Sequence, residues 1–245
     1  MAILYISAKR FKAIIKAGAD WVLKNRDLLN KINVFPVPDG DTGSNMSMTL
    51  ASAVREMEAV KEVSLETVVK AAAWGALMGA RGNSGIIMAQ ILSAFGEDIE
   101  GRQRLCALDI AGALSRGAKN AYRAVLRPAE GTILTVIRET AEAIEQSVDT
   151  HTDLSLLMDV MVRSARSSVE RTPLLLPKLQ EAGVVDAGGL GFLFFLEGMQ
   201  RLIQGMITGN EAIHDEAPFN GNAAEVPDDR VNFRYCTEFI IKGAQ

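Results

Sequence analysis

The sequence predicts an all-helical fold, on three observations. Apolar residues recur every three or four positions almost continuously to about residue 207, strand-like alternation is nearly absent before that point, and glycine-rich polar stretches divide the run into segments of similar length. With 245 residues, 48% of them hydrophobic, the chain can bury a substantial core. The pattern places eight helices at about 7–29, 44–60, 64–79, 85–98, 103–126, 132–147, 153–171 and 189–205.

The first segment is amphipathic, with Lys9, Arg10, Lys12 and Lys16 among apolar residues, and it lacks a signal-peptide core, so a cytoplasmic location is the default. Trp21 in this helix and Trp74 in the third sit at apolar positions and are expected in the core. The second helix aligns Met46, Leu50, Ala53, Val54, Met57 and Val60 on one face, and the fourth does the same with Ile86, Ile87, Ile91, Leu92 and Phe95. The fifth contains Cys106, expected as a small buried apolar residue; with only Cys236 besides, there is no disulfide framework. The sixth opens at Thr132, and the seventh follows the Asp149–Thr152 connection. The eighth carries the apolar run Leu190–Leu196, interrupted by Glu197 and far short of the ~20 residues of a membrane helix. A net charge of −4 without a basic stripe argues against nucleic acid as a partner.

These features define a helical domain over 1–207. Residues 208–232, rich in Gly, Pro, Asn and acidic side chains, read as a linker. Phe233–Ile241 alternates like a strand, so 233–245 is expected to begin a second domain or to lend a strand to a partner.

Four polar stretches lead into helices: Pro38–Asn45, Gly79–Gly85, Glu130–Thr132 and Asp186–Gly189. If successive helices run antiparallel, these are the first, third, fifth and seventh connections and all lie at one end, whereas those near Lys61, Gly101 and Thr150 only join helices at the other. Fresh helix N-termini offer N–H groups to an anion. Asp39 and Asp41, separated by Gly40 after two prolines, add two carboxylates suited to magnesium, although Pro-Asp-Gly is also an ordinary turn. Ser44, Asn45, Ser84 and Thr132 read equally as caps and as phosphate contacts; Gly82 allows close backbone approach, and Arg81 is a candidate stabiliser of transition-state charge or a surface cation. Asp186 reads as an N-cap or as the closure of the site. His151 and His214 fall outside these stretches and are not expected as general bases, and neither a GxxxxGK[ST] loop nor a dinucleotide fingerprint occurs.

The runs Asn33–Met46, Gly79–Gly85, Arg127–Thr135 and Gly183–Gly189 resemble the nucleotide-binding domain of bacterial fatty acid kinase A subunits, over about residues 5–207. That domain is similar to the ADP-binding L subunit of dihydroxyacetone kinase, an eight-helix up-down antiparallel barrel that holds adenine nucleotide through magnesium at one end. The resemblance implies ATP or ADP and two magnesium ions as cofactors. It makes Asp39 and Asp41 metal ligands and, with Arg81, catalytic residues, and sets Asn33 near a third aspartate of the dihydroxyacetone kinase pattern. Thr42, Gly43, Ser44, Asn45, Ser84, Gly85, Gly131, Thr132, Asp186 and Gly188 would contact the nucleotide. Thr42 stands where the L subunit has histidine, which favours the fatty acid kinase branch. The implied reaction phosphorylates the carboxylate of a fatty acid held by a separate binding protein, giving an acyl phosphate for phospholipid synthesis. That protein would dock through C-terminal regions beyond this chain, which by itself is expected to be inactive, and a homodimer is compatible. Cys236 resembles the start of the family's middle domain, where it could join a zinc site. The alternatives are a dihydroxyacetone kinase L subunit and a non-catalytic nucleotide-binding regulatory module.

Overall fold

The computed structural model describes residues 2–61 and 64–205. Among them lie eight long helices, α1 (Ala8–Lys24), α3 (Thr42–Ala59), α4 (Leu65–Met78), α5 (Gly82–Gly96), α6 (Ala107–Ala124), α7 (Ile133–Ser147), α8 (Leu154–Leu175) and α10 (Ala187–Ile203), and two short ones, α2 (Arg26–Lys31) and α9 (Pro177–Ala182). The expected linker and strand, 208–245, lie outside the described residues.

The eight long helices match the expected ones within a few residues; the two short ones are additions. The segment expected as one helix over 7–29 breaks at Asn25, whose side-chain Nδ2 donates to Trp21 O at 2.8 Å. An asparagine amide that competes for helix carbonyls favours such a break. Helix α8 runs past its expected end at 171, through Pro173, because a proline in the last turn removes a single N–H. Pro177 at the first position then starts α9, which ends at Gly183 in the left-handed region (φ 64°).

Each long helix packs against the next, in the order α1, α3, α4, α5, α6, α7, α8, α10, and α10 returns to α1, so the ring closes into an up-down barrel. The closing contact is tight. A Cβ on Gly198 would fall 2.5 Å from Ala17 O and 2.7 Å from Trp21 Cβ, so only glycine lets these helices approach so closely. Helix α10 is buried continuously from Ala187 to Gly198, and the core around it includes Trp21, Leu29, Met46, Leu50, Phe192 and Phe194. Glu197 interrupts the apolar run for a reason visible in its partners: Trp21 Nε1 donates to its carboxylate at 3.3 Å, and Arg166 pairs with the other oxygen. That carboxylate ties α1, α8 and α10 together.

Two expectations about the core are corrected. Trp74 is 58% exposed, because its position on α4 faces outward. Cys106 is half-buried at the N-cap of α6, where its backbone N–H donates to Asp109 at 2.9 Å. At the joining end the N-terminal residues lie across the connections: Ile6 pairs with Leu105 in an isolated antiparallel bridge, and Ile3 N–H donates to Asp153 at 3.1 Å. No helix among the described residues is long and apolar enough to cross a membrane.

Candidate functional site

At the other end of the barrel, all four polar stretches line one cleft of about 580 Å³. Its walls come from Asn33–Asn45, Gly82–Ile87, Val125–Leu134 and Asp186–Gly188, and therefore from the N-termini of α3, α5, α7 and α10. Of the residues singled out in the sequence, Asn33, Asp39, Asp41, Thr42, Asn45, Gly82, Ser84, Thr132, Asp186 and Gly188 line the cleft; Arg81, Gly43, Ser44, Gly85 and Gly131 are next to lining residues but are not part of the lining.

The first wall is set by two asparagines. Asn33, 5% exposed, donates through Nδ2 to Val37 O at 2.9 Å and to Asp39 Oδ1 at 3.2 Å, while its Oδ1 accepts from Thr42 N at 3.2 Å and from the Thr42 hydroxyl. Its amide is thus used on all sides as a brace for the acidic turn. Asn30 does the same one turn away, with Oδ1 accepting from Ser44 N at 3.1 Å and Nδ2 donating to Ser44 Oγ at 3.0 Å. Gly43 packs under the turn, where a Cβ would meet Arg26 O at 2.2 Å.

Asp41 occupies the N-cap position of α3 yet makes no side-chain cap bond, so its carboxylate remains beside that of Asp39. Burial and, next, the charge of Asp41 push the Asp39 carboxyl above the usual carboxylate range. A carboxylate pair in which Asp41 raises the cost of ionising Asp39 is suited to a divalent cation. Among the described residues no group of three or more His, Cys, Asp or Glu forms a metal site, so a cation at this pair would need further oxygen ligands from elsewhere. Magnesium commonly takes one or two carboxylates and completes its shell with phosphate oxygens and water.

The second wall interlocks with the first. Gly82 (φ 54°) lies against Asn45, where a Cβ would meet the side-chain nitrogen at 2.5 Å. Buried Thr49 joins the walls: its hydroxyl donates to Asn45 O at 2.8 Å and accepts from Arg81 N at 3.2 Å. Gly85 fits against the same hydroxyl. Arg81, at the N-cap of α5, makes no side-chain cap bond.

The remaining walls are capped from within. Thr132 Oγ1 accepts from Leu134 N at 3.4 Å and donates to Ala129 O at 2.7 Å. Asp186 Oδ2 accepts from Gly189 N at 2.7 Å, and its carboxylate also accepts from the backbone of Ile133 and Gly188, so one buried group caps α10 and reaches the start of α7. Burial outweighs those three N–H groups and raises its pKa to about 6. The N-termini at the cleft are therefore finished in three ways: α7 and α10 are capped by their own N-cap side chains, α3 by Asn33 and Asn30 on Thr42 N and Ser44 N, and at α5 the N-cap residue Arg81 makes no side-chain cap bond.

Behind the third wall, Glu130 accepts from Tyr122 Oη at 2.7 Å, Thr135 Oγ1 at 2.7 Å and Arg138 Nη2 at 3.1 Å. Burial raises the Glu130 pKa, but these hydrogen bonds together hold it below the usual glutamate range. Gly131 N–H donates to Thr135 Oγ1 at 2.9 Å, and Gly131 (φ 78°) packs on Leu175 and Leu176, so it shapes the loop rather than the cleft surface. Sequence reading gave no role to Arg127 or to the apolar lining of Phe35, Val37, Ile87, Leu126 and Leu134. The apolar residues follow helical or loop patterns that any core would share. Arg127 heads the run Arg127–Thr135, but nothing in that run says that its side chain lines the cleft.

The fold and this site define a barrel with an anion- and cation-ready end, and the sequence match gives its family. Residues 36–201 match the DAK2 domain model, and the chain belongs to the DAK2 domain family. It is 37% identical over 254 residues to Protein YloV of Bacillus subtilis (strain 168), covering 99% of this chain and 45% of that protein. It is also 37% identical over 245 residues to an uncharacterized protein of Staphylococcus aureus (strain USA300), covering 97% and 44%. The chain thus spans less than half the length of these relatives. Among solved structures it shares its fold with the dihydroxyacetone kinase of C. freundii: the complex with AMP-PNP and Mg2+ superimposes with a TM-score of 0.55 at 16% identity, over 78% of this chain and 33% of that one. The native form gives 0.55, 16%, 82% and 36%.

Proposed function

We propose that this domain binds adenine nucleotide with magnesium and serves a kinase of the fatty acid kinase type. The carrying observation is the Asp39–Asp41 pair at the start of α3, facing the same cleft as the N-terminus of α5, whose N-cap residue makes no side-chain cap bond, and an apolar wall. Asp39 and Asp41 would hold magnesium, which would neutralise phosphate charge, and the N-terminus of α5 would receive phosphate oxygens. The apolar residues Phe35, Val37, Ile87, Leu126 and Leu134 suit the base. Asn33 acts on this reading as the residue that positions Asp39 and Thr42. The AMP-PNP and Mg2+ in the fold neighbour support the choice of ligand.

In the transfer step a carboxylate oxygen of the fatty acid attacks the γ-phosphorus, and the bond from that phosphorus to the β–γ bridging oxygen breaks with its electrons leaving on ADP. Such a transfer rests on alignment and charge neutralisation and needs no protein nucleophile. The acyl chain would be delivered by a separate fatty-acid-binding protein. Calorimetric titration with ADP and ATP tests the first part: binding is expected with magnesium and lost in EDTA, and undiminished affinity in EDTA would remove the metal from the account. Hydroxylamine trapping of acyl phosphate tests the second; turnover is expected from the full-length protein with its partner and not from this domain with free fatty acid. The fold shared with dihydroxyacetone kinase favours a second reading, an L-type subunit that retains ADP and is recharged in place. Rapid exchange of labelled ADP would count against it.

A further inference from the structure

Four charged residues line the cleft, the carboxylates of Asp39, Asp41 and Asp186 and a single cation, Arg127. The guanidinium of Arg127 has no hydrogen bond or ion pair among the described residues, although it shares the cleft with three carboxylates. Other arginines behind this wall are engaged: Arg138 pairs with Glu130, Glu139 and Glu142, and Arg171 with Glu139. Arg81 stands outside the lining.

The segment carrying Arg127 is nevertheless fixed. Pro128 restricts Arg127 to extended backbone, Ala129 O accepts from Thr132 Oγ1 at 2.7 Å, and Glu130 is held by Tyr122, Thr135 and Arg138. Arg127 is exposed at the cleft, so its guanidinium is held by water rather than by a protein partner, and it is well suited to a ligand with several oxygens. The planar fork of five donors matches phosphate in a way that lysine does not.

We propose that Arg127, and not Arg81, is the side chain that contacts the polyphosphate of the bound nucleotide; this rests on the nucleotide reading above. The guanidinium would take phosphate oxygens left free by the α5 N-terminus and the metal. Because the side chain is exposed and makes no hydrogen bond or ion pair among the described residues, its removal should leave the fold unchanged, so binding changes can be assigned to the ligand.

The test is calorimetry of the chain with magnesium and ATP, ADP or AMP, for the wild type, Arg127→Ala, Arg127→Lys and Arg81→Ala, with circular dichroism as the check of folding. Arg127→Ala should weaken ATP and ADP by about tenfold and AMP by less, Arg127→Lys should recover part of the loss, and Arg81→Ala should bind within about twofold of wild type. An unchanged ADP affinity in Arg127→Ala, an equal loss for all three nucleotides, or a larger loss in Arg81→Ala would overturn the assignment. A folded wild-type chain that binds none of the three would overturn the nucleotide reading itself, and with it this one.

Discussion

Asp39 and Asp41 are held close by the backbone and by Asn33 rather than by mutual attraction, and that decides what their removal does. Asp39→Ala or Asp41→Ala should abolish magnesium-dependent nucleotide binding while leaving the metal-free protein as stable as wild type or slightly more so, since one of two repelling carboxylates is gone. Thermal melts in EDTA beside calorimetry with magnesium separate the two effects; a large drop in metal-free melting temperature would make the pair structural. Asp186 behaves differently because it is buried against backbone N–H groups. Its folded pKa of about 6 lies above the ordinary aspartate value of 3.8, so the folded state binds the proton more tightly than the unfolded chain does. The stabilisation from that proton is complete below pH 3.8 and is lost as the pH rises through 6, by about 3 kcal/mol in total. Asp186→Asn lacks this titration. Urea unfolding between pH 4 and 7 should therefore show wild type losing stability relative to the variant as pH increases, and parallel curves would contradict the shift.

At the scale of elements, the helices divide into those legible from periodicity and those created by single side chains. Spacing alone locates the eight long helices, because each buries one apolar stripe. The break at Asn25 was not legible, since it depends on one amide reaching the carbonyl of Trp21. The extension through Pro173 contradicts the usual reading of proline as a stop, which holds for helix interiors and less for a last turn. Trp74 shows the limit of periodicity on an apolar helix: α4 has so many apolar positions that the pattern does not say which face turns outward. Glu197 gives a test of the α1–α8–α10 junction. Glu197→Ala leaves Trp21 Nε1 without its partner and Arg166 unpaired, and should cost about 1–3 kcal/mol, the lower part if Arg166, 39% exposed, turns to water. Glu197→Gln retains an acceptor for the indole and should cost less; denaturant unfolding of the two variants orders them.

For the whole molecule, the alternation of polar and plain connections was the most informative feature of the sequence, because an up-down barrel converts alternate loops into neighbours. The roles within that end were less legible. Sequence left Thr132 and Asp186 open between helix cap and ligand contact; in the fold both cap their own helices while lining the cleft, and the bond by which Asp186 also reaches Ile133 joins two loops that sequence does not show to be neighbours. Ser84→Ala, at an uncapped N-terminus, should accordingly weaken nucleotide binding more than Thr132→Val, whose main effect should be a stability loss of about 1 kcal/mol from the lost cap. Lys61→Ala and Thr150→Ala, at the joining end, should leave binding unchanged. Nucleotide titration across the four variants checks the order, and equal losses at both ends would defeat the one-ended site.

The return of α10 to α1 also sets the order of events when the chain is made. Trp21 and Glu197 meet across 176 residues, and Gly198 lies against Ala17, so the first helix has no permanent neighbour on that side until the last has been synthesised. During that interval the face of α1 around Ala17, Gly18 and Trp21 lacks its partner, and such transiently uncovered apolar surface is where a growing chain is prone to aggregate. Closure is thus a long-range, late step, and a ribosome paused before residue 187 would hold a string of helices with no barrel and no cleft.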